Sequence, residues 1–557
     1  ISHRLIFQLV AEGKLQGIRL DHIDGLYDPL EYCRRLQDRA AYLMPPRDVA
    51  TADPGLLPAH PIYLLVEKIL APHEHLRPEW PVDGTTGYEF MNLVNGLFVE
   101  QAAQKALTEI YERFLGRPSD FPEMVIAAKR QILRNNLSSE LNVLTDMVYR
   151  VARQSLTTRD FTRQGVRDAL TELIAHFPVY RTYVTGAGVD ERDRHYLNWA
   201  ATQARRDSTA DDLSIFDFVT ALVATDLKRE PGRPYRRADV IHTAMKFQQL
   251  TGPVMAKAFE DTALYRFNRF ISLNEVGGEP ERFGVSPAAF HYLNADRLKT
   301  HPFSMLATAT HDHKRGEDVR ARLNVLSEMP EAWGRAVRRW QRLNRLKVKD
   351  IDGRPAPGCN DEYLFYQALV GAWPLDETGR ADLPDRMVAY MIKATREAKA
   401  RTNWTAPKAD YEEALESFVR ATLDPERSAA FLTDFTTFHE GIAAAGAVNG
   451  LAQTLLKLTV PGVPDVYQGT EYWDLSLVDP DNRRPVDYTA RAKALKSIAR
   501  KQDPAPLLEA WRDGRIKQFV IARILELRNE APQLFAAGDY SGIEVEGGET
   551  ARVVSIR

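Results

Sequence analysis

Three acidic side chains stand where apolar runs stop. Asp21 follows GIRL (17–20), Glu67 follows IYLLV (62–66), and Asp312 follows MLATAT (305–310) and His311. Carboxyl groups gathered at one place supply what cleavage of a sugar acetal requires: a proton for a poor leaving group, and an anion facing the oxocarbenium-like centre. Glu67 lies in LLVEKIL, and apolar neighbours raise a carboxyl pKa toward neutrality, so it is the candidate acid. Asp21 is the candidate nucleophile. Arg19, two residues earlier on the same strand face, is placed to orient it through charge-assisted hydrogen bonds. Asp312, with His311, is placed to hold sugar hydroxyls and favour a distorted ring.

Each feature has a plainer explanation when taken alone. An Asp after a strand forms turns or caps helices more often than it attacks a substrate, and His311-Asp312 fits a cap for the helix that follows. His22 between Asp21 and Asp24 offers metal ligands, but no nearby Cys or second His completes a set. No metal is expected there. The three segments together weigh more than any one of them.

The elements that must position these groups share one design. Gly17 to Leu20 reads as a short strand, and 28–44 as a helix with Asp28 as N-cap, Pro29 at its first position and an inward stripe of Leu30, Cys33, Leu36, Ala40 and Leu43. IYLLV is a continuous apolar run, as expected of a parallel strand buried on both faces. A helix bearing Val319, Leu323 and Leu326 follows His311-Asp312, and VPDVYQG (463–469) is a fourth strand candidate. Strand, polar group, loop and helix in repetition is the pattern of β/α units, and polar groups at strand carboxyl ends are where α/β barrels gather their chemistry.

The expected fold is therefore α/β: a partial (β/α)8 barrel with large helical insertions and the beginning of a C-terminal β domain. Barrel segments are expected at 1–99, 291–324 and 451–517, helical insertions at 100–290 and 325–450, and the β domain from 518 to 557. FVEQAAQKALTEIYERFL and FDFVTALVATDL carry the helical period of the first insertion. In the second, RAVRRWQRLNRLKVK (335–349) predicts an amphipathic helix with Val337, Trp340, Leu343 and Leu346 inward and a solvated basic face.

Bulk properties narrow the function classes. The 557 residues are 44% hydrophobic and 27% charged with a net charge of −3, an ordinary soluble composition without a field that recruits nucleic acid. No uninterrupted apolar stretch reaches the roughly 18 residues that span a bilayer. Two cysteines, Cys33 and Cys359, give neither a disulfide framework nor a zinc pattern and suit a reducing compartment. The chain opens at Ile1 directly in helical pattern and stops within a strand-like one, which reads as a fragment.

RLDHID, LVEKI and THDHKRGEDVRARL resemble conserved regions of the α-amylase superfamily of glycoside hydrolases. More narrowly, GIRLDHIDGLYDP (17–29), GTTGYEF (84–90), QQLTGPVMAKAFEDTALYR (248–266), LNEVGGEP (273–280), SMLATATHDHKRGEDVRARL (304–323) and PGVPDVYQGTEYWDLSLVDPDNRRPVDY (461–488) resemble a glucan isomerase branch that builds a trehalose end on maltodextrins. The resemblance implies Asp21 as nucleophile, Glu67 as general acid/base and Asp312 as the transition-state-stabilising carboxylate, the three meeting around one glucose-sized hollow. It implies substrate contacts from Arg19, His22, Asp24, Lys68, His311 and Lys314. Two small departures stand out: Glu89 where Asp is expected in GTTGYDF, and His313 where Thr is expected after the His-Asp pair. The large departure is the absence of the early barrel strands.

By the same resemblance the activity is an intramolecular transglycosylation that turns a reducing-end α-1,4 link into an α,α-1,1 link, in a cytoplasmic monomer. Its substrate is a maltooligosaccharide or maltodextrin, its product passes to a maltooligosyltrehalose trehalohydrolase, and no cofactor, nucleic acid or membrane takes part. An α-1,4-glucan hydrolase or glucanotransferase of the superfamily is the alternative enzyme, and a non-catalytic glucan-binding protein the alternative from another class.

Overall fold

A strand pair begins the molecule's chemistry. In the computed structural model, which describes residues 3–44, 60–208, 212–228, 235–498, 503–543 and 555–556, β1 (Gly17–Leu20) runs parallel to β2 (Tyr63–Val66), with Gly17 opposite Tyr63 and Leu20 opposite Val66. Leu64, Leu65 and Val66 are buried, as the unbroken apolar run requires. The register makes Asp21 and Glu67 the first residues beyond both strands, and the Glu67 N–H donates to the Leu20 carbonyl at 2.7 Å.

After β1 the chain makes one 3-10 turn at Ile23–Gly25 and enters a helix at Pro29–Leu43. The Asp28 side chain accepts the Glu31 N–H at 3.0 Å, and Pro29 occupies the first helical position, where its missing donor costs nothing. Cys33, Leu36 and Ala40 are buried, while Leu30 and Leu43 at the margins of the stripe are half-buried. Cys33 and Leu36 pack with Ile23, Leu64, Val66 and Trp80. This small core fixes the turn against the strands.

The chain divides into two compact units. Among the described residues, the first holds those within 3–44, 60–82 and 120–263, and the second those within 83–119 and 264–556. In the first, helices at Phe121–Arg134, Ser138–Ala152, Arg163–Ala175, Glu191–Asp207, Ser214–Val223 and Arg237–Met255 enclose a core that includes Leu170, Leu173, Phe216 and Phe247. Asp120, Thr162 and Asp190 cap three of them through side-chain oxygens. The last helix continues into a π-helical stretch at Ala256–Ala263, a form that is rare and recurs at functional sites.

In the second unit, Met305–Leu306 pairs in parallel with Val463–Pro464. Both strands are shorter than MLATAT and VPDVYQG suggest. Beyond Leu306 side chains take the backbone: the Arg320 guanidinium donates to the Thr308 carbonyl, so the ladder stops. The helix carrying Val319 and Leu323 spans Glu317–Asn324, and Leu326 lies in the 3-10 turn that follows.

The amphipathic helix expected at 335–349 runs from Pro330 to Asn344. Val337 and Trp340 are buried, but Leu343 and Leu346 are exposed, Leu346 by 92%. The expected inward stripe is thus half right. The helix ends before Leu346, and a short antiparallel hairpin, Lys349–Ile351 with Arg354–Ala356, replaces its continuation. Near the end of the chain a helix covers Arg515–Glu530, and Gly542–Ile543 pairs antiparallel with Ser555–Ile556. The remainder of the expected strand runs in IEVEG and ARVVS lies outside the described residues. The architecture is α/β with large helical insertions, and no described helix is long and apolar enough to cross a membrane.

Candidate active site

At the carboxyl ends of β1 and β2 two acids meet through one peptide. The His22 N–H donates to Glu67 Oε2 at 2.8 Å, and His22 reaches that orientation with left-handed backbone angles, φ 48° and ψ 49°. That conformation costs a residue with a Cβ about 1 kcal/mol or more. A β-carbon on Gly25 would lie 2.5 Å from the His22 ring, so glycine is what lets the imidazole fold over the turn. Asp21 is exposed, with the Arg19 guanidinium 3.1 Å from its Oδ1.

Electrostatics separates the two acids. Burial pushes the Glu67 carboxyl above its ordinary range; the His22 N–H opposes that, and the charges of Asp21 and Asp24 add to it. A carboxyl whose pKa is raised beside an exposed, arginine-paired carboxylate is the division of labour that acetal chemistry requires. Tyr180 stands near it. Burial, and then the charges of Glu260 and Glu67, hold its phenol well above the ordinary range, so it remains a neutral hydroxyl.

Asp24 and Lys68, expected to touch substrate, point inward and find each other. They are 4% and 2% exposed. Lys68 Nζ lies 3.3 Å from Asp24 Oδ2 and 2.9 Å from Glu74 Oε1. Burial pulls the ammonium pKa down, but Asp24 and Glu74 outweigh it and the net shift is upward. A cavity of about 190 Å³ is lined by Tyr27, Trp80, Arg77, Arg181, Tyr183 and Met245 among others. Neither Asp21 nor Glu67 faces it.

His311, Asp312 and Lys314 belong to the second unit. Asp312 is exposed at a turn, where its N–H donates to Thr310 Oγ1 at 3.1 Å. The His311 carbonyl accepts from Asn482 at 3.0 Å. Lys314 is buried, with its ammonium 5.0 Å from the centre of the Tyr265 ring. Its backbone N–H donates to Glu275 Oε2 at 2.7 Å, while Arg315 and Arg320 each stand 3.8 Å from Glu275 Oε1. Among the described residues no group of three or more His, Cys, Asp or Glu could hold a metal ion.

No family model matches the chain. A Mycobacterium tuberculosis protein provisionally named maltooligosyl trehalose synthase is 34% identical over 557 residues, all of this chain and 63% of the relative. The maltooligosyltrehalose synthase structure from Arthrobacter ramosus superposes with a TM-score of 0.81 at 34% identity, covering 100% of this chain and 63% of that one. Over its whole length the chain is similar to maltooligosyltrehalose synthases. A hypothetical maltooligosyl trehalose synthase of Sulfolobus tokodaii gives a TM-score of 0.75 at 31% identity, covering 97% of this chain and 63% of that one. The chain spans 63% of the length of the curated relatives it matches.

Both small departures from the pattern expected of these synthases have local explanations. His313 is fully buried, and burial holds its pKa below the ordinary value. The neutral ring accepts the Thr310 N–H at Nδ1, 2.8 Å away, and presents Nε2 at 3.5 Å to Ser476 Oγ. It closes the turn that carries Asp312. Glu89 accepts the Thr85 hydroxyl at 2.5 Å; burial pushes its carboxyl up, against the pull of Thr85 and Arg297.

Sequence reasoning missed the supporting residues: Glu74, Tyr180, Arg181, Tyr183, Gln249 and Glu275. Gln249 and Glu275 lie in blocks that had drawn attention as wholes. VYRTY (179–183) carried no signal, because its neighbours are distant in the chain.

Proposed function

We propose that this chain carries the reaction centre of a glucan 1-α-D-glucosylmutase, which converts the reducing-end α-1,4 linkage of a maltooligosaccharide into an α,α-1,1 linkage. In this reading the barrel's share of the chain is 1–99, 291–324 and 451–517, with insertions at 100–290 and 325–450 and the start of a β domain at 518–557. Asp21 attacks the anomeric carbon of the penultimate glucose while Glu67 gives its proton to the oxygen departing with the terminal glucose. Asp312, with His311, stabilises the developing positive charge, and Arg19 and His22 contact sugar near the reducing end. The freed glucose turns over and presents its anomeric hydroxyl. Glu67, now a base, removes that proton, the new bond forms, and Asp21 leaves as a carboxylate. Two inversions give net retention.

The observation that carries this reading is the pairing of an exposed carboxylate at the end of β1 with a carboxyl whose pKa burial pushes up at the end of β2, the two joined through the His22 peptide. A retained nucleophile has a very high effective molarity, which favours isomerisation over attack by water. In the same reading the enzyme is a cytoplasmic monomer and its product is the substrate of a maltooligosyltrehalose trehalohydrolase. The test incubates the complete protein with maltopentaose and follows reducing ends and mass. Reducing power disappears at constant mass, and Asp21→Asn abolishes the change. Shorter reducing sugars would reject the mutase in favour of a hydrolase, and full function in Asp21→Asn would leave only glucan binding.

A further inference from the structure

We propose that Arg181, Tyr183 and Gln249 are positioning residues, through which the helical part of the first unit holds the turn that carries Asp21. The inference rests on the role given to Asp21 and Glu67 above.

Three consecutive backbone carbonyls of that turn are each taken by a side chain from far along the sequence. Arg181 Nη1 donates to the Asp24 carbonyl at 2.7 Å and to the Leu26 carbonyl at 2.6 Å. Gln249 Nε2 donates to the Gly25 carbonyl between them at 3.0 Å. The Tyr183 hydroxyl donates to Asp24 Oδ1. Surface turns ordinarily leave such carbonyls to water. Here one guanidinium nitrogen, on a side chain only 1% exposed, donates to two of them.

The donors are themselves fixed. The Tyr183 ring has three cations near it, with Arg77, Arg181 and Lys68 at 4.9, 5.2 and 5.7 Å from its centre. The Tyr183 N–H donates to Asp193 Oδ2 at 2.8 Å, and Arg77 pairs with Asp193 and Asp190. Lys68 joins Asp24 to Glu74. Asp24 and Lys68 therefore serve this frame and not the sugar.

The frame bears on chemistry through His22. Its N–H reaches Glu67 only while the turn keeps its left-handed start, and residues 24–26 anchor the other side of the turn. A turn free to shift would move Asp21 and loosen Glu67 together, and a displacement of about 1 Å at reacting groups costs roughly a hundredfold in rate.

The test uses the complete protein and two variants that leave the buried charges in place. Gln249→Leu removes one donor. Arg181→Lys keeps the cation, but its ammonium ends one bond short of the Nη1 position that reaches both carbonyls. Amide hydrogen exchange at residues 22–27, followed by mass spectrometry, accelerates tenfold or more in each variant while the melting temperature stays near that of the parent. With maltopentaose, kcat falls about 10- to 100-fold with KM changed little, in keeping with lost positioning. Unchanged exchange at 22–27, or a kcat loss that only tracks the folded fraction, would overturn the proposal. A parent protein without mutase activity would sink the functional reading alone, and the exchange measurement would still decide whether these residues hold the turn.

Discussion

The turn after β1 and the turn around Asp312 are braced in different ways. In the first unit, donors from the helical segment grip the carbonyls of Asp24, Gly25 and Leu26, over a buried set of Lys68, Asp24 and Glu74 with contacts of 2.9 and 3.3 Å. In the second, acceptors also take N–H groups, His313 that of Thr310 and Glu275 that of Lys314, beside the donor Asn482 on the His311 carbonyl. The guanidinium neighbours of Glu275 stand farther off, at 3.8 Å. One brace is a closed set of ion pairs, in which each charge depends on its partner. The other is a carboxylate shared between a backbone hydrogen bond and two more distant cations, so part of its work survives loss of charge.

That contrast orders the outcomes of substitution. Lys68→Met leaves Asp24 and Glu74 buried without their cation, and unfolding in urea shows a loss of about 3–5 kcal/mol. Glu275→Gln keeps an oxygen for the Lys314 N–H and removes only the anion between Arg315 and Arg320. Its expected loss is about 2–3 kcal/mol, the scale of a charged hydrogen-bond partner. If the second substitution costs more than the first, the closed set is not the more charge-dependent brace. The smallest effect concerns Glu67 and depends on pH. Burial raises its folded pKa above the unfolded value of 4.5, so the folded state holds this proton longer. The stability attached to it is complete below the unfolded value and declines as pH rises through the folded one. Glu67→Gln should therefore gain stability on its parent between pH 4 and 7, as read by paired melting curves. A gain that does not vary with pH would mean that Glu67 titrates alike in both states.

Local signals were the legible ones. Asp28-Pro29 marked a helix start, and IYLLV marked a strand buried on both faces, because caps and apolar runs act through near neighbours. The places of Asp21 and Glu67 at the ends of β1 and β2 were also legible, but the directions of the polar groups there were not. Nothing in RLDHID distinguishes Asp21, which faces solvent, from Asp24, which turns inward to Lys68; that difference comes from Arg181 and Tyr183, more than 150 residues away. The short strand at Met305–Leu306 was overestimated for a similar reason, since the Arg320 guanidinium takes the carbonyl that a longer ladder would use. Leu343 and Leu346 continued a helical period beyond the point where the helix stops. Period alone carries no information about termination.

The contact between His22 and Glu67 is made by the main chain, and the imidazole takes no part in that hydrogen bond. That hydrogen bond is thus indifferent to which side chain stands at position 22, provided that the residue tolerates a left-handed backbone, as Asn does. Position 22 is where the side chain can be exchanged while the peptide bridge between the two strand ends is kept.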